Sequence, residues 1–159
     1  MQPNTSLSRF LPYQLSIASN AVSGRIAQEY RVRFGLSIPE WRVMAILGDS
    51  GAMTQRDLTR RTLMDKVAVN RACKVLEDRG LAERTPNEQD GRSHLLALSD
   101  TGQTMFEDIM PLAVEMEQRL FEGFSADEMG LFRDMLEKVR RQVDGMSDDD
   151  FEEGDFGVS

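Results

Sequence analysis

"TQRDLTRRTLMDKVAVNRACKVLEDRGLAERTPNEQDGRSHLLALSDTG", from Thr54 to Gly102, is the stretch that decides the fold. Thr54 stands where a helix N-cap is needed, with Asp57 three residues on, and the spacing predicts a short helix over 54–61. Leu63 to Asp65 reads as a turn. From Asp65 to Arg79 an apolar period of three to four residues returns (Val69, Ala72, Cys73, Leu76), and Gly80 ends it. Two short helices joined by a tight turn make a helix-turn-helix. "LAERTP" and "SHLLALS" then read as short strands on either side of an Asp-Gly-Arg tip. Asp-Gly is a turn signal because glycine reaches positive φ at no steric cost. A helix-turn-helix followed by such a hairpin is a winged helix.

The flanks are helical. Residues 8–34 carry Leu11, Leu15, Ala18, Val22 and Ile26 at spacings of three and four, Pro12 is tolerable only in a first turn, and Gly35 supplies a stop. Ser37 with Glu40 forms a capping box ahead of Trp41, Val43, Met44, Ile46 and Leu47, and Gly48–Gly51 reads as the following loop. Ser99 or Asp100 opens a helix over about 100–122 whose apolar face is Met105, Ile109, Leu112, Met116 and Leu120. Ser125 with Glu128 opens a last helix to about Val143. Met44, Met105, Met116 and Met135 are expected in the core. The fold class is therefore mainly α with a small β-hairpin wing: a winged helix-turn-helix lobe with additional helices at both ends.

The net charge of −8 looks hostile to nucleic acid, but its distribution matters more than its total. Seven of the 27 acids lie between Asp144 and Ser159, leaving 19 basic residues against 20 acids in the rest of the chain. From Thr54 to Arg92 nine basic residues face seven acids, which leaves room for a basic surface there. Residues 144–159 are acidic and aperiodic, and a disordered tail is expected. The single cysteine, Cys73, excludes an intramolecular disulfide and a Cys-rich zinc site, and no cofactor or metal is expected. No apolar run approaches the roughly 20 residues that span a bilayer. The first residues lack a basic segment followed by an apolar one, so the cytosol is the simplest compartment.

On a helical wheel Val67, Asn70, Arg71 and Lys74 lie opposite the apolar face of residues 65–79. These are residue types that read a major groove: Arg for guanine O6 and N7, Asn for adenine, Val for the thymine methyl. Lys66 and Lys74 suit phosphates. A solvated helix face carries the same types, and the neighbouring short helix and hairpin turn the balance toward DNA. Arg92 at the tip can then enter a narrow minor groove, with Asp90 close enough to pair with it and orient it. His94, the one histidine, has no nucleophile or paired carboxylate in sequence context. No phosphate-binding glycine loop or catalytic triad pattern is present, so an enzyme is not expected.

At these residues the chain resembles the MarR family of winged helix-turn-helix transcriptional regulators. The segment "VLEDRGLAERTPNEQDGRSHLLALSDTG" matches the family pattern at Leu76, Glu77, Gly80, Leu81, Arg84, Asp90, Arg92, Leu98, Ser99 and Gly102. "IPEWRVMAIL" and "MDKVAVNRA" are also similar to MarR sequences, and the resemblance spans about residues 8–143. Two positions depart from the pattern: Gly91 stands where the family often has Arg, and Ser99 where it has Thr. The resemblance implies a homodimer joined by the helices of residues 1–35 and 100–143, with residues 36–99 as the DNA-binding lobe. It implies a pseudo-palindromic operator with half-sites roughly 10 bp apart. It also implies a repressor released by a small phenolic or aromatic acid, or its CoA thioester.

Candidate effector residues are a polar stripe on the first helix, Ser16, Asn20 and Ser23, with Trp41 and Arg42 at the start of the second. Trp41 can stack on a ring, and Arg42 can clamp a carboxylate. Close helix packing, a core Trp and a surface ion pair are the plainer readings of the same residues. Two alternatives remain at this point: a redox-responsive regulator using Cys73, and a dimeric interaction protein without DNA binding.

Overall fold

The computed structural model describes residues 6–146; the tail from residue 147 onward, expected to be disordered, lies outside the described residues. These residues form two compact units that divide between Leu120 and Phe121.

The first unit begins with a 3-10 turn, Leu7–Arg9, followed by α1 (Leu11–Phe34). The helix thus starts at Leu11 rather than at residue 8, which puts Pro12 in the first turn, where its missing N–H costs nothing. Gly35 closes α1 at φ 66°, its N–H donating to Arg31 and Tyr30 carbonyls. The Arg79 guanidinium donates to the carbonyls of Phe34 and Gly35 at 3.0 Å each and fastens that end to the helix-turn-helix. α2 (Ile38–Ser50) opens on the Ser37–Glu40 capping box and runs through the segment expected to be loop. The physical reason lies at Gly48: a Cβ there would meet the Phe106 ring at 2.7 Å, so glycine lets the ring lie directly on the helix.

β1 (Met53–Thr54), α3 (Gln55–Thr62), α4 (Lys66–Asp78), β2 (Ala82–Pro86) and β3 (His94–Leu98) complete the winged helix. Thr54 caps α3 by accepting from the Asp57 N–H at 3.1 Å, and Asp65 caps α4 by accepting from the Ala68 N–H at 2.8 Å. Leu63, between them, takes a left-handed φ of 53°. The sheet is antiparallel in the order β1-β3-β2, with Ala82 opposite Leu98, Pro86 opposite His94 and Met53 opposite Leu96. The wing is thus a three-stranded sheet in which the hairpin gains β1 as a third member. α5 (Asp100–Leu120) follows, and Ile109 and Met116 of its expected apolar face are buried.

The core gathers Tyr30 of α1, Val43, Met44 and Leu47 of α2, Leu58 of α3, and Val69, Ala72, Cys73 and Leu76 of α4. The N-terminal half of α1 contributes nothing to it: Leu11 is 76% exposed, and Leu15 and Ile17 are exposed as well.

The second unit contains α6 (Ala126–Asp144), opened by the Ser125–Glu128 capping box. Phe121 packs edge-on against Phe124 with ring centres 5.5 Å apart and lies 5.9 Å from Phe132. Met135 is 54% exposed, so it is not core filler; it lies on an uncovered helix with Leu131, Val139 and Val143. No helix among the described residues is long and apolar enough to cross a membrane.

Candidate nucleic-acid interface

α4 is two-sided. Val69, Ala72, Cys73 and Leu76 are buried, while Lys66, Val67, Asn70, Arg71 and Lys74 are all exposed, Val67 by 59%. Burying one face fixes the roll of the helix, so the outward direction of the other set follows from packing rather than from any contact those residues make. Among the described residues Lys66, Arg71 and Lys74 have no ion-pair or hydrogen-bond partner, which leaves their charged heads available.

The wing tip, residues 87–93, is built on two short side chains. Asn87 donates to Ser93 twice, from its backbone N–H to the Ser93 carbonyl (3.1 Å) and from its side-chain amide to the Ser93 hydroxyl oxygen (3.0 Å), and its Oδ1 accepts from the Gln89 N–H. Asp90 accepts from the backbone N–H of Arg92 at 3.1 Å. The expected Asp90–Arg92 ion pair is therefore replaced by a turn contact: the carboxylate shapes the backbone, and the exposed Arg92 guanidinium is left to other partners. Gly91 does not take the left-handed conformation that its Asp-Gly context suggested. A seven-residue tip closed by side-chain bonds has no need of the two-residue hairpin turn that demands it.

Sequence reading missed two groups. Gln55, Arg56, Thr59 and Arg60 line, together with the expected Lys66, an open groove of about 500 Å³ between α3 and the start of α4, with three cations around it. Arg56 and Arg60 sit four residues apart on one short helix, a visible spacing that entered only the local charge count. The other group ties the wing to α4. Arg84 of β2 donates to Glu77 at 2.6 Å and to Gln55 at 3.1 Å, and Gln55 donates to Asn70 at 3.0 Å. The bond to the Glu77 carboxylate raises the Arg84 pKa, keeping its charge secure.

The candidate effector residues are spread along α1 and the start of α2. Ser16 and Asn20 are exposed on α1 and Ser23 is half-buried. Trp41 lies in an aromatic stack, 4.8 Å from Tyr30 and 6.3 Å from Phe106, the plainer reading of that residue. Arg42 is exposed. A groove of about 330 Å³ lies elsewhere on α1 and α5, lined by Arg25 and Arg33 paired with Glu29, Arg119 paired with Glu115, and apolar Leu112, Met116 and Leu120.

Cys73 is fully buried, and burial pushes its thiol up to about 11, with Arg84 opposing weakly. The folded protein holds the thiol proton through a range in which an unfolded chain, titrating near 9, has lost it. Stability must then fall as pH rises from about 9 to 11, by on the order of 2 kcal/mol from this group. Tyr30, also raised by burial, adds a decline in the same direction. Urea unfolding at pH 8 and pH 10.5 should show a shallower loss in Cys73→Ala than in the native protein; equal losses would remove Cys73 from the account. At neutral pH a thiol reagent should label Cys73 only after unfolding, against the redox reading.

A helix-turn-helix whose second helix is braced by a three-stranded wing defines a winged-helix protein. A model of the MarR family matches residues 34–93, from the end of α1 to the wing tip. The transcriptional repressor IacR of Pseudomonas putida is 24% identical over 121 residues, covering 74% of this chain and 72% of its own. A crystal structure of a MarR/EmrR family transcriptional regulator from Acinetobacter sp. ADP1 superposes with a TM-score of 0.82 at 27% identity, covering 89% of this chain and 99% of that one. A MarR family regulator from Listeria monocytogenes, solved in complex with a 26mer DNA, shares the fold with a TM-score of 0.75 at 20% identity over 82% of this chain and 86% of that one. Over residues 34–93 the chain matches the MarR family of winged helix-turn-helix transcriptional regulators, and its fold is that of solved members of the family. Its relatives and its fold are those of regulators, not of enzymes.

Proposed function

We propose that the chain is a homodimeric repressor that binds pseudo-palindromic duplex DNA. Lys66, Val67, Asn70, Arg71 and Lys74 enter the major groove and its phosphate walls, Arg92 reaches the adjacent minor groove, and Asp90 shapes the tip that carries it. Arg56 and Arg60 serve the phosphate backbone beside α3. The observation that carries this reading is the outward face of α4, with Arg71 and Lys74 free among the described residues and the opposite face locked in the core. The DNA held by the Listeria regulator of the same fold supports it.

Dimerisation is supported by apolar surface left open in a single chain: Leu11, Leu15 and Ile17 on α1, and Leu131, Met135, Val139 and Val143 on α6. In this reading residues 1–35 and 100–143 join two copies and residues 36–99 bind DNA. An aromatic acid or its CoA thioester, acting by population shift between DNA-fitting and non-fitting lobe spacings, is the proposed releasing signal. Ser16, Asn20, Ser23, Trp41 and Arg42 remain its proposed contacts toward the dimer.

Selection of binders from random duplexes tests the reading. The native protein should enrich a pseudo-palindrome with half-sites roughly 10 bp apart. Arg92→Ala should bind the same site about fivefold to tenfold more weakly and lose preference for a narrow, A·T-rich flank. Failure to enrich any sequence at low salt would move the interaction-protein alternative to the front.

A further inference from the structure

Gln55 is the first residue of α3 and stands between the recognition helix and the wing. Its Oε1 accepts from Arg84 at 3.1 Å, and its amide nitrogen donates to Asn70 Oδ1 at 3.0 Å. Arg84 is itself held by Glu77 at 2.6 Å. The direction of this chain is not free. A guanidinium has only donors, so Gln55 must offer it an oxygen. That choice leaves the Gln55 NH2 group to face Asn70, and Asn70 must answer with its own oxygen. The Asn70 NH2 group is then the end without a partner among the described residues.

We propose that Glu77, Arg84 and Gln55 make Asn70 a hydrogen-bond donor toward DNA, so that it selects guanine or thymine rather than adenine. The proposal rests on the DNA-binding reading and deepens it. Adenine is read by an Asn through two coplanar bonds, oxygen to the N6 amine and nitrogen to N7. Turning the Asn70 amide into that plane gives up the 3.0 Å bond and leaves the Gln55 donor unpaired. Guanine sets two acceptors, O6 and N7, side by side and thymine offers O4 to the donor that Asn70 presents without moving, whereas adenine places its own N6 donor beside N7, against the Asn70 NH2 group. Arg84 and Gln55 touch no base in this scheme; they are positioning residues that set specificity through Asn70.

The same random-duplex selection, run on native protein, Asn70→Ala and Gln55→Ala, separates the outcomes. The position whose preference disappears in Asn70→Ala is the one Asn70 reads. Native protein should favour guanine or thymine over adenine there by about fivefold, the equivalent of one hydrogen bond. Gln55→Ala, which frees Oδ1, should shift that ratio toward adenine by a similar factor while leaving the other positions unchanged. Adenine at that position in the native site, or an unchanged ratio in Gln55→Ala, would overturn the proposal while leaving DNA binding intact. No enriched site at all would overturn the DNA-binding reading itself, and the specificity role with it. A DNA-free measurement tests the direction of the relay: in nitrogen-15 spectra the Gln55 side-chain amide should exchange with water more slowly than that of Asn70. The reverse order would overturn the relay whatever the DNA result.

Discussion

Gly102→Ala should destabilise the protein by about 3 kcal/mol, lowering its melting temperature by roughly 10 °C at matched protein concentration. The cause is backbone, not side chain. A Cβ at Gly102 would lie 1.9 Å from the Leu81 carbonyl oxygen and 2.9 Å from its carbon. Leu81 cannot retreat, because its N–H donates to Leu76 at 2.8 Å and its carbonyl accepts from Ser99 at 3.0 Å. Ser99 tightens the junction further, donating to the Gly80 carbonyl at 2.6 Å and accepting from the Gly102 N–H at 3.1 Å. One serine thus caps α5 and clamps it to the turn that follows α4, and glycine is the only residue that lets the two backbones meet. The Leu-Ser-x-x-Gly motif is therefore a joint between the recognition helix and α5. Gly91→Ala is the control: nothing lies within 4 Å of a Cβ there and its φ is not positive, so a change within about 0.5 kcal/mol is expected. Equal melting of Gly102→Ala and native protein would mean that α5 does not ride on Leu81.

Local signals were the legible part of this fold. Thr54, Ser37–Glu40 and Ser125–Glu128 mark helix starts because a cap is a contact between residues three apart, and each makes the expected bond. The two faces of α4 were legible for the same reason, since period alone separates Val69 and Leu76 from Arg71 and Lys74. What escaped depends on residues far apart in sequence. β1 is two residues long and exists only because Met53 and Thr54 meet Leu96 and Leu95. α2 passes through Gly48 because Phe106, on another helix, fills the space a side chain would take. The relay from Arg84 to Asn70 joins residues 29 and 15 positions apart through Gln55, and only the sheet register and the roll of α3 bring them together. The periodicity of α1 was readable, but it could not say that Leu11 and Leu15 stay exposed among the described residues. A proposed interface between two copies leaves that kind of trace: an apolar stripe correct in spacing and empty in the single chain.

Arg71→Ala should weaken binding to the selected site by about 10- to 100-fold, the range for losing a bidentate base contact. Its guanidinium is exposed and free among the described residues, on the face of α4 opposite the buried Ala72 and Cys73. Removing it breaks no hydrogen bond or ion pair among the described residues, and alanine is the better helix former, so thermal stability should stay constant or rise slightly. That separates a lost contact from a damaged fold. Arg71→Lys should recover little, because an ammonium cannot reproduce the planar fork that pairs with guanine O6 and N7. Lys74→Ala provides the contrast. If Lys74 serves a phosphate, its loss weakens all sequences nearly alike and lowers the dependence of log affinity on log salt by about one. Arg71→Ala should instead collapse the preference at one position while leaving binding to unrelated duplexes within a fewfold of native. Should Arg71→Ala weaken every duplex equally and flatten the salt dependence, Arg71 would belong to the backbone contacts. Base reading on α4 would then fall to Val67 and Asn70 alone.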